Sequence, residues 1–216
     1  CIRDRASFGN ILHDLSRGNS ALASRIVTTS PDVSVSTNLG PWVNQRGVFS
    51  LDVRNDVFRD EKVASAQKWL RHGGGQHMEL GIAESNLFTM LAALGLSGPI
   101  FGTRLLPVGT LYDPFIARGL DALNYACYQD ARFMLVATPA GITLAPEGGA
   151  HQSVSTPLIG MGQPGLISFE PAYADELATI MKWGFEYMQA DDGGSVYLRL
   201  STRMINQPDR VMTTEL

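Results

Sequence analysis

The sequence predicts an α/β fold, a mainly parallel sheet flanked by helices on both faces. Three observations carry this. Short apolar runs alternate with helix-periodic stretches along the chain. The run Phe133-Met134-Leu135-Val136-Ala137 is apolar at every position, as in a parallel strand covered on both faces. With 216 residues, 44% of them hydrophobic, the chain fills one large domain or two small ones and can bury a real core.

Taken in order, Ser7 is placed to cap a first helix carrying Phe8, Ile11, Leu12 and Leu15. Ile26 and Val27 begin a strand that ends at Ser30-Pro31-Asp32. Residues 33 to 54 are rich in Ser, Asn and Gly and read mostly as loop. Asp60 to Leu70 reads as a helix, ended by Gly73–Gly75. His77 to Leu80 is a short strand. Glu84 or Ser85 opens a helix with Leu87, Phe88, Leu91 and Leu94 at helical spacing, and Gly95 stops it. Arg104 to Val108 is the next strand. Asp113 or Pro114 opens a helix to about Gln129, Pro being tolerated in a first turn. After the strand 133–137 comes a Gly- and Pro-rich loop, 138–149. Gly165 to Ser168 is a strand, Ala174 to Gln189 an amphipathic helix, and Val196 to Leu200 the last strand.

Several classes are excluded by composition. A net charge of −4 without a basic cluster gives no reason to expect nucleic acid. No apolar run reaches membrane-spanning length, and no signal-peptide pattern is present. Two cysteines, Cys1 and Cys127, make no disulfide framework, so a cytoplasmic, reducing compartment is the expectation. Cys127 reads as core packing. The triplet Gly73–Gly75 lacks the Gly-Lys-Ser/Thr ending of a phosphate loop. The start at Cys1 and the weak ending at Val211–Leu216 suggest a piece of a longer polypeptide.

Candidate functional residues fall just after predicted strands, where ligands of parallel sheets sit. Glu84 stands where a strand turns into a helix. A carboxylate there also suits the helix dipole; buried at a sheet edge, it can share a proton with a ligand nitrogen. Tyr112 and Phe115 suit either core packing or stacking on a flat ring. Glu147 and His151 stand four apart in a glycine-rich loop, an acid and an imidazole fit for proton transfer near neutral pH. Without a third clear ligand they make no metal site. The residues by themselves leave these alternatives open.

In combination, these motifs resemble a known family. His77-Met78-Glu79-Leu80-Gly81-Ile82-Ala83-Glu84 resembles the Gly-Ile-Ala/Asn-Glu signature of the pyrimidine-binding domain in thiamine-diphosphate enzymes of the transketolase superfamily. Tyr112-Asp113-Pro114-Phe115, followed by Arg118, resembles the aromatic stretch that stacks on the aminopyrimidine. Glu147-Gly148-Gly149-Ala150-His151-Gln152 resembles the loop carrying the active-site histidine. Within the superfamily the chain is most similar to the homodimeric type of pyruvate dehydrogenase E1 component. Asp60–Ala64, Phe169-Glu170-Pro171-Ala172-Tyr173-Ala174 and Val196-Tyr197-Leu198-Arg199 carry that likeness. His151-Gln152-Ser153 departs from the E1 pattern His-Glu-Asp-Gly-His.

The resemblance implies one pyrimidine-binding domain over residues 1–216, its core spanning about 7–203. It implies thiamine diphosphate as cofactor, with Glu84 hydrogen-bonding the pyrimidine ring nitrogen and favouring the imino tautomer. Tyr112 and Phe115 would hold the ring flat. His151, with Glu147 nearby, would stabilise or protonate oxyanions. Asp32 would border the pocket. Mg²⁺ would be held by a Gly-Asp-Gly motif and an Asn of another domain, absent from this chain. The active site would then form in a homodimer, against the diphosphate-binding domain of the same or a partner subunit. The chain alone would be inactive. Helix residues Leu87, Phe88 and Leu91 would pack either at that interface or in the core. The implied activity is oxidative decarboxylation of pyruvate or a close analogue, with acyl transfer to a lipoyl acyltransferase component. The alternatives are a transketolase moving two-carbon units between sugar phosphates and a non-catalytic interaction domain.

Overall fold

The computed structural model describes residues 4–52, 57–64, 67–204 and 206–207. Cys1, the end of the 33–54 stretch, two residues of the predicted 60–70 helix and the last segment lie outside them.

Among the described residues eight strands form one parallel sheet. They are β1 Ile26–Ser30, β2 Val48–Phe49, β3 Arg71–His72, β4 His77–Glu79, β5 Leu106–Leu111, β6 Met134–Ala137, β7 Leu166–Phe169 and β8 Ser195–Arg199, in the order β3-β2-β4-β1-β5-β6-β8-β7. Every described pairing is parallel. The helices are α1 Asp4–Arg17, α2 Gly40–Arg46, α3 Val57–Asp60, α4 Glu84–Gly95, α5 Ser97–Phe101, α6 Leu120–Tyr128, α7 Thr156–Gly162 and α8 Ala174–Tyr187.

The two faces of the sheet carry two separate cores, and the period of two along each strand sorts the residues between them. On one face Ile26, Val108, Met134, Val136, Val196 and Leu198 meet α1, α2 and α8 through Phe8, Leu12, Trp42, Met181 and Phe185. On the other face Leu111, Leu135, Ala137 and Tyr197 meet α4 and α6 through Leu87, Phe88, Leu91 and Leu123. This is why β6 shows no polar alternation. Leu87, Phe88 and Leu91 are fully buried within the chain, so they are core residues. Gly109 permits the close seating of α4 on β5: a Cβ there would lie 2.7 Å from Leu91 Cδ1.

The structure corrects the sequence expectations in several places. Ser7 is no cap; α1 already runs from Asp4, and Ser7 is buried inside it. The stretch 33–54 is not mostly loop. Hydroxyls of Ser36 and Thr37 bond back to the Val33 carbonyl and close a tight turn. Pro41 then sits in the first turn of α2, which buries Trp42 and Val43 before β2 begins. Among the described residues, 60–70 forms no continuing helix. Lys62 adopts a left-handed φ of 56°, which ends α3 after one turn. The Leu70 carbonyl instead accepts from the Val48 N–H at 2.8 Å, extending the sheet edge. Strand β5 lies later than expected, at 106–111, and the segment after it is a 3-10 turn, Asp113–Gly119, before α6. Helices α5 and α7 were not foreseen; both are short and weakly periodic.

Candidate active site

The chain runs outward from β1 to β2 and β3, returns to β4 beside β1, then crosses to β5 on β1's other side. The crevice at such a reversal, outside the carboxyl ends of the strands, is where parallel sheets hold ligands. Glu84 follows β4, Tyr112 and Phe115 follow β5, and Glu147 and His151 follow β6.

Contacts join these residues into one continuous row. Glu84 opens α4 and is only 9% exposed. Its side chain does not cap the helix; Oε1 accepts a hydrogen bond from Arg118 Nη1 at 2.9 Å. Among the described residues Oε2 has no hydrogen-bond partner. Arg118 also lies over the Phe115 ring, 3.9 Å from its centroid, in cation–π contact. Phe115 stacks against Tyr112 at 5.8 Å with 24° between the planes. Both rings meet His151, at 5.2 Å from Phe115 and 6.3 Å from Tyr112. His151 Nε2 in turn lies 3.7 Å from Glu147 Oε2.

Two local features set up this row. Gly119 brings the 3-10 turn against the start of α4; a Cβ there would lie 2.3 Å from Phe88 and 3.0 Å from the Glu84 carbonyl. That close approach lets the neighbouring Arg118 reach the Glu84 carboxylate. Gly148 and Gly149 take φ of 70° and 54°, a conformation that suits glycine, and they turn the loop so that His151 faces the aromatic pair. Tyr112 and Phe115 are half-buried and belong to neither core cluster.

Asp32 stands apart from the row. It is exposed, at φ 63°, and its backbone N–H donates to Glu79 Oε1 at 2.8 Å. Glu79 also accepts from Ser34 Oγ at 2.7 Å and lies 3.3 Å from Nε2 of the fully buried His77. Burial alone would raise the Glu79 carboxyl. The bonds to His77, Ser34 and the Asp32 N–H outweigh it and hold the group below its ordinary value. None of the described contacts joins Asp32 to Glu84, the aromatics or His151.

A second cluster was missed from the sequence. Asp113, fully buried, accepts from Tyr197 Oη at 2.8 Å and Arg199 Nε at 3.1 Å on Oδ1. Its Oδ2 accepts from Arg199 Nη2 at 3.1 Å, Thr156 Oγ1 at 2.5 Å and Ser153 Oγ. Arg199 also reaches Glu170 at 2.7 Å. Burial would raise the Asp113 carboxyl, but the bonds from Arg199, Ser153, Thr156 and Tyr197 hold it below the usual carboxylate range. Burial and the neighbouring Asp113 push the Tyr197 phenol up. The signal was an arginine inside an apolar strand, Val196-Tyr197-Leu198-Arg199-Leu200, since a buried cation calls for an acid.

The donor set of the first row suits a flat nitrogen heterocycle: an open carboxylate oxygen, near-parallel rings and an imidazole. Among the described residues no three His, Cys, Asp or Glu side chains converge as a metal site. No described helix is long and apolar enough to cross a membrane. Half-buried Cys127 has its thiol pushed up to about 11 by burial, which argues against a nucleophile.

Comparison with known proteins adds to this geometry. Residues 2–207 match the pyruvate dehydrogenase E1 component middle domain family. The pyruvate dehydrogenase E1 component of Mycolicibacterium smegmatis is 27% identical over 186 residues, covering 85% of this chain and 20% of that protein. That of Escherichia coli K12 is 26% identical over 189 residues, covering 85% and 21%. The chain thus spans about a fifth of the length of these relatives. The solved transketolase of Leishmania mexicana is 20% identical, with 94% of this chain and 25% of that chain superposed at a TM-score of 0.71. At that identity the likeness shows a shared fold.

Proposed function

The chain belongs to the pyruvate dehydrogenase E1 component middle domain family, and from that premise we propose that it is the pyrimidine-binding domain of a thiamine-diphosphate-dependent 2-oxo acid dehydrogenase E1 component. The observation that carries this is the unbroken row Glu84–Arg118–Phe115–Tyr112–His151–Glu147 at the sheet's switch point. The row offers the donors and faces that a pyrimidine ring needs.

When bound, thiamine diphosphate supplies a carbon nucleophile and an electron sink for cleavage beside a 2-oxo group. Glu84, through Oε2, holds the proton at a pyrimidine ring nitrogen. Arg118 fixes the other oxygen, so the carboxylate meets the ring in one orientation. Tyr112 and Phe115 provide the flat faces against which the ring is oriented. His151 donates to oxygen where negative charge develops, with Glu147 close enough to orient its imidazole. Asp32, two residues past the end of β1, touches none of this row among the described contacts, and its place at the pocket rim rests on the resemblance alone.

The substrate is pyruvate or a close analogue, and the acyl group passes to a lipoyl acyltransferase component in the cytoplasm. Residues 1–216 form one domain of a longer polypeptide. The relatives' names and their length, about four times that of this chain, support these assignments. Diphosphate and Mg²⁺ fall to another domain, met across a homodimer. Ile82 and Val154, beside the site and 79% and 91% exposed, offer that domain apolar surface.

The test uses the full-length polypeptide. Pyruvate-dependent reduction of an artificial electron acceptor is expected, with no two-carbon transfer between sugar phosphates. The opposite result assigns it to transketolase chemistry. Failure to bind thiamine diphosphate by calorimetry in the presence of Mg²⁺ makes it a non-catalytic module.

A further inference from the structure

We propose that Asp113 is a positioning residue that holds the His151 loop in register with the Tyr112–Phe115 pair. The proposal rests on the assignment of His151 to the site. Asp113 lies between the two aromatic residues in sequence, so whatever fixes Asp113 fixes their turn. Its two oxygens face different partners. Oδ1 is held by Tyr197 and Arg199, which belong to β8 in the rigid sheet. Oδ2 takes a second bond from Arg199 and also holds the hydroxyls of Ser153 and Thr156, at the far end of the loop that follows β6.

That loop is tied to the sheet at its start, where the Thr138 N–H donates to Leu111 and the Ala140 N–H to Leu200. Between this start and Ser153 the backbone passes through three glycines at positive φ, Gly141, Gly148 and Gly149. Around His151 its described backbone bonds are local, from His151 to Gly148 and from Gln152 to Gly149. Those bonds shape the turn but do not place it on the sheet. The hydroxyls on Asp113, two and five residues beyond His151, do. One buried carboxylate therefore gives the aromatic pair and the imidazole a common frame. The departure at Ser153 from the E1 pattern acquires a use: that position serves the anchor.

The experiment compares two sides of the anchor in the full-length polypeptide. The loop side is cut by combining Ser153→Ala with Thr156→Val; the sheet side is trimmed by Tyr197→Phe. Hydrogen exchange of peptides covering 149–156 is expected to quicken at least tenfold in the loop-side variant and less than twofold in Tyr197→Phe. Turnover should fall at least tenfold in the loop-side variant, with KM for pyruvate and thiamine diphosphate affinity within about twofold. Thr156→Ser with Ser153 intact should leave both readings at the wild-type level, since the hydroxyl is kept. Unchanged exchange in the loop-side variant overturns the proposal whatever the turnover. Equal losses from both sides also overturn it, since they mark a structural role only. Faster exchange with unchanged turnover, alongside a fully active His151→Ala, overturns instead the assignment of His151 on which the proposal rests.

Discussion

Asp113 and Glu84 are two carboxylates at the same edge of one sheet, and their surroundings differ in kind. Asp113 is fully buried and accepts five hydrogen bonds, two of them from one guanidinium. Glu84 is nearly as buried, yet it takes one described hydrogen bond, from an arginine whose side chain is 48% exposed. A charge taken from water is tolerated only when its lone pairs are filled. Asp113 meets that condition within the chain and is available to nothing else. Glu84 keeps one oxygen open beside aromatic faces. The filled carboxylate fixes structure, and the open one awaits a donor from outside.

Four measurements break or sharpen this contrast. The largest effect is expected on turnover. Glu84→Gln in the full-length protein should lower thiamine-dependent turnover by roughly 10²–10⁴, the usual worth of a placed proton-transfer group, while leaving circular dichroism and unfolding midpoint unchanged. Near-normal turnover removes Glu84 from the chemistry. Asp113→Ala should do the reverse of a selective lesion, costing about 3–5 kcal/mol in urea unfolding because it strands Arg199 without its buried counter-charge. A loss below about 1 kcal/mol would place the cluster among surface pairs.

The third is a pH dependence. Asp113 is held below its ordinary value in the folded chain, so the folded state binds fewer protons than the unfolded state between the two values. Its contribution is complete above the unfolded aspartate pKa near ~3.9 and is lost as pH falls through the folded value. The stability advantage of wild type over Asp113→Asn should therefore shrink between pH ~7 and pH ~3. Glu79 contributes in the same direction. An advantage constant across that range would refute the depressed pKa.

The smallest structural effect is expected at His151, half-exposed beside Glu147. His151→Ala should change stability by no more than about 0.5 kcal/mol, as at other exposed positions, and lower turnover more than cofactor affinity. A larger loss of affinity than of turnover would make His151 a binding residue.

Much of this was legible in the chain. The apolar run 133–137, the spacing of Leu87, Phe88, Leu91 and Leu94, and the punctuation by Gly and Pro gave the central strands and helices. Each reports a local period that burial on a sheet face imposes. The misses share a cause. The stretch 33–52 looked polar because its hydroxyls close a turn on their own backbone, hiding α2. Residues 60–70 held helix formers, but Lys62 in the left-handed region and Leu70 bonded to β2 show pairing across the sheet winning over propensity. Of the candidate site, Glu84, Tyr112, Phe115, Glu147 and His151 stood out by residue type after strands. Arg118 and Asp113 did not, because their partners lie 34 and 84 residues away.

By itself the sequence determined the α/β class, the parallel sheet and the family, since periodicity and motif are properties of neighbouring residues. Only the tertiary structure decided which of two acids at the sheet edge is spent on the fold and which stays open. That choice depends on distant donors converging through strand order, and no local pattern encodes where they meet.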